Sequence, residues 1–180
     1  MIRAFVAIDL PAGIKQRLSE LQSGVPGARW TDADGMHVTL RFIGEVPESA
    51  LEDIHHALTQ IAAAPFELEI HGIGQFGQRA RTRVLWAGVG RSEALTHLRQ
   101  KVESAVVRAG QPPEDRRFTP HVTVARLQSG ANVERILRFV QQHALLRAGP
   151  FTVDRFVLFE SRLGSGGAKY TPLAEYPLHA

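Results

Sequence analysis

Two stretches of this sequence decide its fold: His37-Val38-Thr39-Leu40 and His121-Val122-Thr123-Val124. Each reads histidine, apolar residue, threonine, apolar residue, within a segment whose composition predicts a β-strand. Successive strand residues point to opposite faces, so the histidine and threonine of each motif share one face while the apolar pair faces the core. Two copies of this pattern in one chain are improbable as a coincidence. They predict two polar faces that display the same side chains.

The segments around the two motifs repeat one order of predicted elements: strand, helix, strand beginning with histidine, helix, strand. Apolar periodicity predicts strands at 2–8, 36–46, 66–70, 83–89, 121–127, 151–159 and 169–178, and helices at 11–21, 47–61, 92–109 and 132–140. The offsets between equivalent positions are nearly constant, with 84 positions from His37 to His121, 85 from Phe66 to Phe151 and 81 from Ile2 to Arg83. Element order alone could arise by chance, but the shared motif favours an internal duplication. We expect one two-lobed domain over residues 1–180, with repeats at approximately 1–80 and 81–165.

The composition restricts the class of protein. The chain has 180 residues, of which 44% are hydrophobic and 22% charged, so a substantial core is expected and disorder is not. No apolar run approaches the roughly 20 residues that cross a bilayer, and we expect no membrane partner. The first residues, Met1 to Asp9, are too short and turn acidic too early for a signal peptide. The sequence has no cysteine for disulfides or thiol catalysis, which together with the missing signal favours the cytoplasm.

The charge balance gives a weaker indication. The formal net charge is +3, and nearly all positive side chains are arginine, with lysine only at positions 15, 101 and 169. Arginine makes forked contacts to phosphate, although a base-composition preference explains the bias as readily. A net charge of +3 does not by itself imply a nucleic-acid partner.

If the chain is duplicated, a pseudo-two-fold axis places both histidine–threonine pairs around one cleft. Two imidazoles in such a cleft allow acid and base catalysis at the same time. One ring can take a proton from an attacking water while the other gives a proton to the leaving oxygen, because the ordinary pKa of histidine lies near 6.5. The hydroxyls of Thr39 and Thr123 could donate to non-bridging phosphate oxygens. The competing interpretation is a two-histidine metal site, which needs a third ligand. No HExxH segment or strand cluster of Asp and Glu has a fitting spacing, so we predict a site without a metal.

The residues that flank the motifs are also distinctive. The first motif continues as Arg41-Phe42-Ile43-Gly44, the second lies between Phe118-Thr119-Pro120 and Ala125-Arg126, and the chain closes with Glu160-Ser161-Arg162-Leu163 through Gly167 to Tyr170. Over essentially the whole chain, motifs and flanks resemble the two-histidine phosphoesterase superfamily. Within it, they resemble the bacterial and archaeal RNA 2′,3′-cyclic phosphodiesterases, also called 2′-5′ RNA ligases. One departure is Gly35-Met36, where the resemblance leads us to expect Asn followed by an apolar residue.

The resemblance implies a fold and a reaction. The implied fold is bilobal, duplicated and α+β, with two antiparallel sheets lining a central cleft and helices packed outside. The implied reaction is metal-independent hydrolysis of a terminal RNA 2′,3′-cyclic phosphate to a 2′-phosphate, with His37 as general acid, His121 as general base, and Thr39 and Thr123 on the phosphate oxygens. The residues alone do not order the two histidines. We expect no cofactor, a monomer, and as partner an RNA with a 2′,3′-cyclic phosphate end or a cyclic nucleotide.

Two alternative functions use the same residues. An ATP-independent 2′-5′ RNA ligase would join an RNA 5′-hydroxyl to the cyclic phosphate, with this hydroxyl taking the place of water as the nucleophile. A non-catalytic RNA-end binding module would need hydrogen-bond donors but no pair of proton-transfer groups. The intact His37 and His121 argue against the binding module.

Arginine and aromatic residues near the motifs are further candidates. The resemblance implies Arg126 as the phosphate clamp, but strict alternation from His121 places it on the opposite face, so this role requires the strand to end or bulge near Ala125. Arg41 lies in phase with the first motif, yet four strand residues from His37 span roughly 13 Å. Phe42 is a candidate for base stacking or for the core.

The remaining basic residues and histidines carry less information. An alternating patch at Arg79, Arg81 and Arg83 could follow an RNA backbone or form a solvated hairpin face. The histidines without a partner motif are predicted to be structural or exposed; they are His55, His56, His71, His97, His143 and His179.

Overall fold

The computed structural model describes residues 1–78 and 81–179, which form nine strands and four α-helices. The strands are β1 Ile2–Asp9, β2 Arg29–Trp30, β3 His37–Val46, β4 Phe66–Phe76, β5 Val84–Val89, β6 His121–Arg126, β7 Arg147–Val153, β8 Arg155–Gly164 and β9 Gly167–Pro177. The helices are α1 Ala12–Ser19, α2 Glu48–Thr59, α3 Glu93–Arg108 and α4 Val133–Gln142, with a short 3₁₀ helix at Ala33–Gly35. The four predicted helices are confirmed, as are the predicted strands apart from the one at 151–159.

The strands form two antiparallel sheets. The first sheet has the order β3-β1-β8-β9, and the second has the order β2-β6-β5-β4-β7. The two histidine strands therefore stand at corresponding places, with β3 beside β1 and β6 beside β5. The next strand of each sheet comes from the other half of the chain, because β8 lies beside β1 and β4 beside β5. The predicted α+β fold of two antiparallel sheets is confirmed.

The single strand predicted at 151–159 is wrong. The chain leaves β7 at Val153 and begins β8 at Arg155, so only Asp154 separates the two strands. β7 pairs with β4 in the second sheet, whereas β8 pairs with β1 and β9 in the first. Aromatic and β-branched residues lie on both sides of Asp154, so composition did not reveal the change of sheet. This one-residue connection ties the two sheets together.

The larger of two apolar clusters forms the core between the sheets and the helices. The apolar residues of both motifs lie in it: Val38, Leu40, Val122 and Val124 are 0–3% exposed. Two helices begin with side-chain caps, since Ser92 accepts a hydrogen bond from the N–H of Leu95 and Asn132 one from that of Arg135, each at 3.1 Å. A cap of this kind contributes about 1 kcal/mol to helix stability. No helix in the described ranges is long and apolar enough to cross a membrane.

Candidate active site

Strand β3 places the histidine and threonine of the first motif on one face of the sheet. Val38 and Leu40 are buried in the core, while His37 and Thr39 are partly buried on the opposite face. Strand β6 shows the same alternation for the second motif. We call the face of each sheet that carries its motif histidine and threonine the cleft face.

An extra residue interrupts the alternation at the end of the first motif. Thr39 and Arg41 pair with neighbouring residues of β1, so Leu40 between them has no partner and forms a bulge. The bulge turns Arg41 into the core, where it is 6% exposed, and brings Phe42 to the cleft face, where it is 54% exposed. The prediction that Arg41 lies in phase with His37 is therefore wrong.

Strand β6 carries the same interruption. Thr123 and Ala125 pair with neighbouring residues of β5, which leaves Val124 as the bulge. Val124 and Ala125 are fully buried, and Arg126 is exposed on the cleft face with Thr123. The bulge that a phosphate-binding role of Arg126 requires is present. Arg126 and Phe42 occupy equivalent positions of the two strands, 84 residues apart.

His37 lies among aromatic rings on the cleft face of the first sheet. Its ring centroid is 4.8 Å from that of Phe5, 5.8 Å from that of Phe159 and 5.3 Å from that of Tyr170, which stands edge-on at 82°. Its Nδ1 atom is buried and has no hydrogen-bond partner within the described chain. Burial lowers the pKa of His37 from 6.5 to about 4, because a charged imidazole loses hydration among these rings. At neutral pH the free site therefore holds His37 as the neutral ring.

Charged side chains also act on the pKa of His37. Asp9, which faces His37 across the β1–β3 pair, raises this pKa, while Lys15, His121 and Arg126 lower it. Asp9 is itself held by Lys15, with 2.9 Å between Oδ1 and Nζ. The influence of His121 and Arg126 on His37 means that the two motif strands bring these three side chains into one electrostatic neighbourhood.

His121 is oriented by a main-chain hydrogen bond and by two rings. Its Nδ1 atom lies 2.6 Å from the carbonyl oxygen of Thr119, and because a carbonyl only accepts, Nδ1 carries the hydrogen. The neutral ring therefore has an unprotonated Nε2. The Phe76 ring stands edge-on at 4.9 Å, and the Trp86 ring lies at 6.2 Å. Burial is the main cause that lowers the pKa of His121; Arg126 lowers it further and the Thr119 carbonyl opposes the change.

A small residue makes room for the indole beside the second motif. A Cβ atom at Gly74 would overlap the six-membered ring of Trp86, so no other residue fits there without displacing the indole. Trp86 pairs with Thr123 across β5 and β6. In the first sheet the corresponding place, opposite Thr39, is taken by Ala7.

Buried Arg41 connects the first motif strand with the loop before the second motif. Its guanidinium donates to Glu103 of α3 at 2.7 Å and to the carbonyl of Pro112. The same Glu103 oxygen accepts from the N–H of Glu114 at 3.1 Å. This loop continues to Thr119, whose carbonyl orients the second histidine. Arg41 therefore connects strand β3, which carries His37, with the loop that leads to His121.

The remaining arginines and histidines from the sequence analysis lie mostly on the surface where the structure describes them. Arg79 lies outside the described residues, and Arg81 and Arg83 are exposed. No three His, Asp or Glu side chains within residues 1–78 and 81–179 group closely enough to hold a metal ion. Of the histidines outside the motifs, His143 is partly buried, and these are exposed: His55, His56, His71, His97 and His179.

Sequence reasoning gave no site role to several residues that surround the histidines, among them Phe5, Asp9, Thr119 and Trp86. The repeat gave no signal for the aromatic residues, because Ala7 and not Phe5 pairs with Thr39 as Trp86 pairs with Thr123. Asp9 acts through its register opposite His37 and Thr119 through a main-chain carbonyl, and neither property is visible in the sequence.

Solved structures with this fold match nearly the whole chain. Escherichia coli LigT in its apo form has a TM-score of 0.81 and 29% sequence identity, and the match covers 99% of this chain and 98% of that one. Escherichia coli LigT complexed with 3′-AMP gives a TM-score of 0.79 at 28% identity, covering 99% of both chains. TT0787 of Thermus thermophilus gives a TM-score of 0.80 at 26% sequence identity, and the match covers 99% of both chains. The fold is that of the LigT-like class of α+β proteins.

Sequence comparison leads to the same group. The family model of the 2′-5′ RNA ligase superfamily matches residues 10–164. The RNA 2′,3′-cyclic phosphodiesterase of Methanothermobacter thermautotrophicus is 30% identical over 98% of this chain and 99% of its own length. The RNA 2′,3′-cyclic phosphodiesterase of Aeropyrum pernix is 34% identical over 88% of this chain and 90% of its own length. That of Geobacillus stearothermophilus is 32% identical, and this chain spans 56% of its length. The chain belongs to the 2′-5′ RNA ligase superfamily.

The lowered pKa of His37 predicts a loss of stability in acid. The unfolded chain binds a proton at this residue below about pH 6.5, whereas the folded chain does so only below about 4, so stability falls as the pH decreases through this range. Between pH 7 and pH 4, the free energy of unfolding should fall by about 3 kcal/mol less in His37→Asn than in the wild type, as measured by urea unfolding. The exposed His97→Asn variant should follow the wild type. Parallel curves for wild type and His37→Asn would contradict the buried neutral state.

The ion pair of Arg41 predicts a large cost on its removal. Arg41→Met leaves Glu103, which is 17% exposed, without its closest cation, and should lower the free energy of unfolding by about 3 kcal/mol. The matched control is Arg155→Met, because its pair with Glu175 is 52% and 55% exposed and should contribute less than about 1 kcal/mol. Amide hydrogen exchange at Glu114 should accelerate in Arg41→Met alone. Unchanged exchange there would argue against the link to the loop.

Proposed function

We propose that this chain hydrolyses the 2′,3′-cyclic phosphate at an RNA end to a 2′-phosphate, without a metal, by two-histidine acid and base catalysis. The observation that carries the proposal is the hydrogen bond from Nδ1 of His121 to the Thr119 carbonyl, in a site that also holds His37 and Arg126. Relatives named RNA 2′,3′-cyclic phosphodiesterase support this substrate class. The complex of LigT with 3′-AMP supports a nucleotide ligand.

His121 is the general base in this proposal. With its hydrogen on Nδ1, the ring has a lone pair on Nε2 that takes a proton from water as the water oxygen attacks phosphorus. The hydrogen bond to Thr119 strengthens as the ring gains charge, because charge-assisted hydrogen bonds are the stronger ones. The main chain thereby supports both the orientation of the base and its charged state.

His37 is the general acid. When the bond between phosphorus and O3′ breaks, its electron pair stays on O3′ and His37 delivers the proton, which leaves a 3′-hydroxyl and a 2′-phosphate. The neutral ring of the free site takes up this proton as substrate binds, since the negative phosphodiester favours the imidazolium. Asp9, opposite His37 in β1, favours the same charged state.

The phosphate lies between the two motifs in this proposal. The hydroxyls of Thr39 and Thr123 share the cleft faces with the histidines and donate to non-bridging oxygens. Arg126 supplies the positive charge and can bind two oxygens at once. Phe42, exposed on the cleft face with its ring 6.1 Å from that of Phe5, offers a surface on which a base can stack.

Two other functions use the same geometry. In 2′-5′ ligation, an RNA 5′-hydroxyl attacks phosphorus in place of water. In the reverse of ligation, the same 5′ oxygen is the leaving group. The same two histidines transfer the protons in both directions. A non-catalytic RNA-end binding module would retain the cyclic phosphate unchanged. The tautomer set at His121 favours turnover over simple retention, because binding requires no free lone pair on Nε2.

A cyclic mononucleotide incubated with the protein in EDTA separates hydrolysis from the non-catalytic binding module. We expect conversion to the 2′-phosphate at an undiminished rate, and a reduction of kcat by about 10²–10⁴ in His37→Ala and in His121→Ala. His97→Ala is the matched control and should retain full activity. Retention of the nucleotide without product would support the binding module, and loss of turnover on chelation would overturn the metal-independent mechanism.

The pH dependence tests the division of roles. With the pKa of His37 near 4 and that of His121 below 6.5, kcat/KM should follow a bell with its maximum below about pH 6, because one ring must be protonated and the other neutral. The maximum for kcat should lie at higher pH, since bound phosphate raises both pKa values. Asp9→Asn should move the kcat/KM maximum to lower pH and Lys15→Met to higher pH. A rate that is flat from pH 5 to pH 9 would rule out this mechanism.

A further inference from the structure

An exposed arginine stands directly beside Arg126. Strand β2 pairs with β6 so that Arg29 faces Arg126 and Trp30 faces Ala125. Directly paired residues of antiparallel strands place their side chains on the same face of the sheet. Ala125 is fully buried and Trp30 packs against Phe139 of α4, with 5.6 Å between ring centroids, so this pair marks the core side. Arg29 therefore shares the cleft face with Arg126.

The two-residue strand β2 is held in this register by bonds beyond its own ladder. The N–H of Thr31 donates to the carbonyl of Val124 at 3.0 Å. The side-chain amide of Gln22 donates to the carbonyls of Thr31 and Val124, at 2.8 Å and 3.2 Å. Because Val124 is the bulged residue of β6, these bonds join β2 to the feature that turns Arg126 into the cleft.

The two arginines form an unbalanced positive pair. Both side chains are exposed, and in the described part of the chain neither Arg29 nor Arg126 has a carboxylate within ion-pair distance. Like charges directly opposite each other destabilise a strand pair. An anion beside the pair removes this repulsion, and the forked guanidinium matches the oxygens of a phosphate.

We propose that Arg29 binds the phosphodiester on the 5′ side of the terminal nucleotide, so that the protein acts better on an RNA end than on a cyclic mononucleotide. The inference rests on the proposed hydrolysis. The cleft face of β6 carries His121, Thr123 and Arg126 in succession, and Arg29 extends this row onto the edge strand. The reacting phosphate lies at the histidines, and the next phosphate of the chain falls at the outer end of the row. Such contacts position a nucleic acid without reading its sequence.

A comparison of two substrates tests this subsite. We measure kcat/KM for a cyclic mononucleotide and for a trinucleotide with the same cyclic end. In Arg29→Gln, kcat/KM for the mononucleotide should stay within about two-fold of wild type. For the trinucleotide, kcat/KM should fall about ten-fold, which is the effect of one charged hydrogen bond. Arg29→Lys should fall between, because lysine keeps the charge but not the fork. Arg135→Gln, an exposed arginine on α4, is the matched control and should change neither rate.

The salt dependence supplies a second readout. The slope of log kcat/KM against log salt concentration should become less steep by about 0.7 for the trinucleotide in Arg29→Gln, as expected for the loss of one phosphate contact on a single strand. Equal losses for both substrates would assign Arg29 to the reacting phosphate and overturn the subsite. Unchanged rates for both substrates would also overturn it.

Failure of the proposed hydrolysis is recognised separately. If the wild type converts neither substrate, the proposed function is wrong, and the subsite is then tested by binding alone. Dissociation constants of a mononucleotide and a trinucleotide that each end in a 2′-phosphate should show the same selective ten-fold loss in Arg29→Gln. The absence of a selective loss in binding would reject the subsite as well.

Discussion

A bulge at the last motif residue of each histidine strand determines how the cleft is built. Leu40 in β3 and Val124 in β6 have no partner in the neighbouring strand, and each is buried. Because side chains alternate with a period of two, the residue after each bulge exchanges faces with the one that strict alternation would place there. Arg41 is thereby buried while Phe42 and Arg126 reach the cleft faces. Without the bulge in β3, Arg41 would lie on the cleft face and Phe42 would lie in the core.

The two halves share a motif, but the surroundings of the histidines differ. His121 is bound at Nδ1 by the Thr119 carbonyl, whereas the Nδ1 of His37 is buried among aromatic rings without a partner in the described chain. Asp9 stands opposite His37, and Gly88 stands opposite His121. A pair of rings in identical surroundings would have equal proton affinities. The differences give the two imidazoles separate environments, which an acid and a base acting together require.

Several features were predictable because they depend on local sequence. The helices, most of the strands and the shared face of His37 and Thr39 follow from periodicity and strand alternation. The separation of β7 from β8 was not predictable, since one residue, Asp154, lies between two segments that both favour strands. The predicted face of Arg41 was wrong for a related reason. A bulge is a property of two paired strands, so the sequence of one strand does not reveal it.

The sequence by itself determined that two matched strands would each display a histidine and a threonine on one face and apolar residues on the other. Only the tertiary structure decided the surroundings of those histidines: Asp9 across a strand pair, a carbonyl of a loop held by buried Arg41, and Arg126, which acts on the pKa of both rings. The physical reason is the range of the interactions. Strand alternation acts between neighbours in the chain, whereas register, bulges and electrostatic neighbours arise when distant segments pack together.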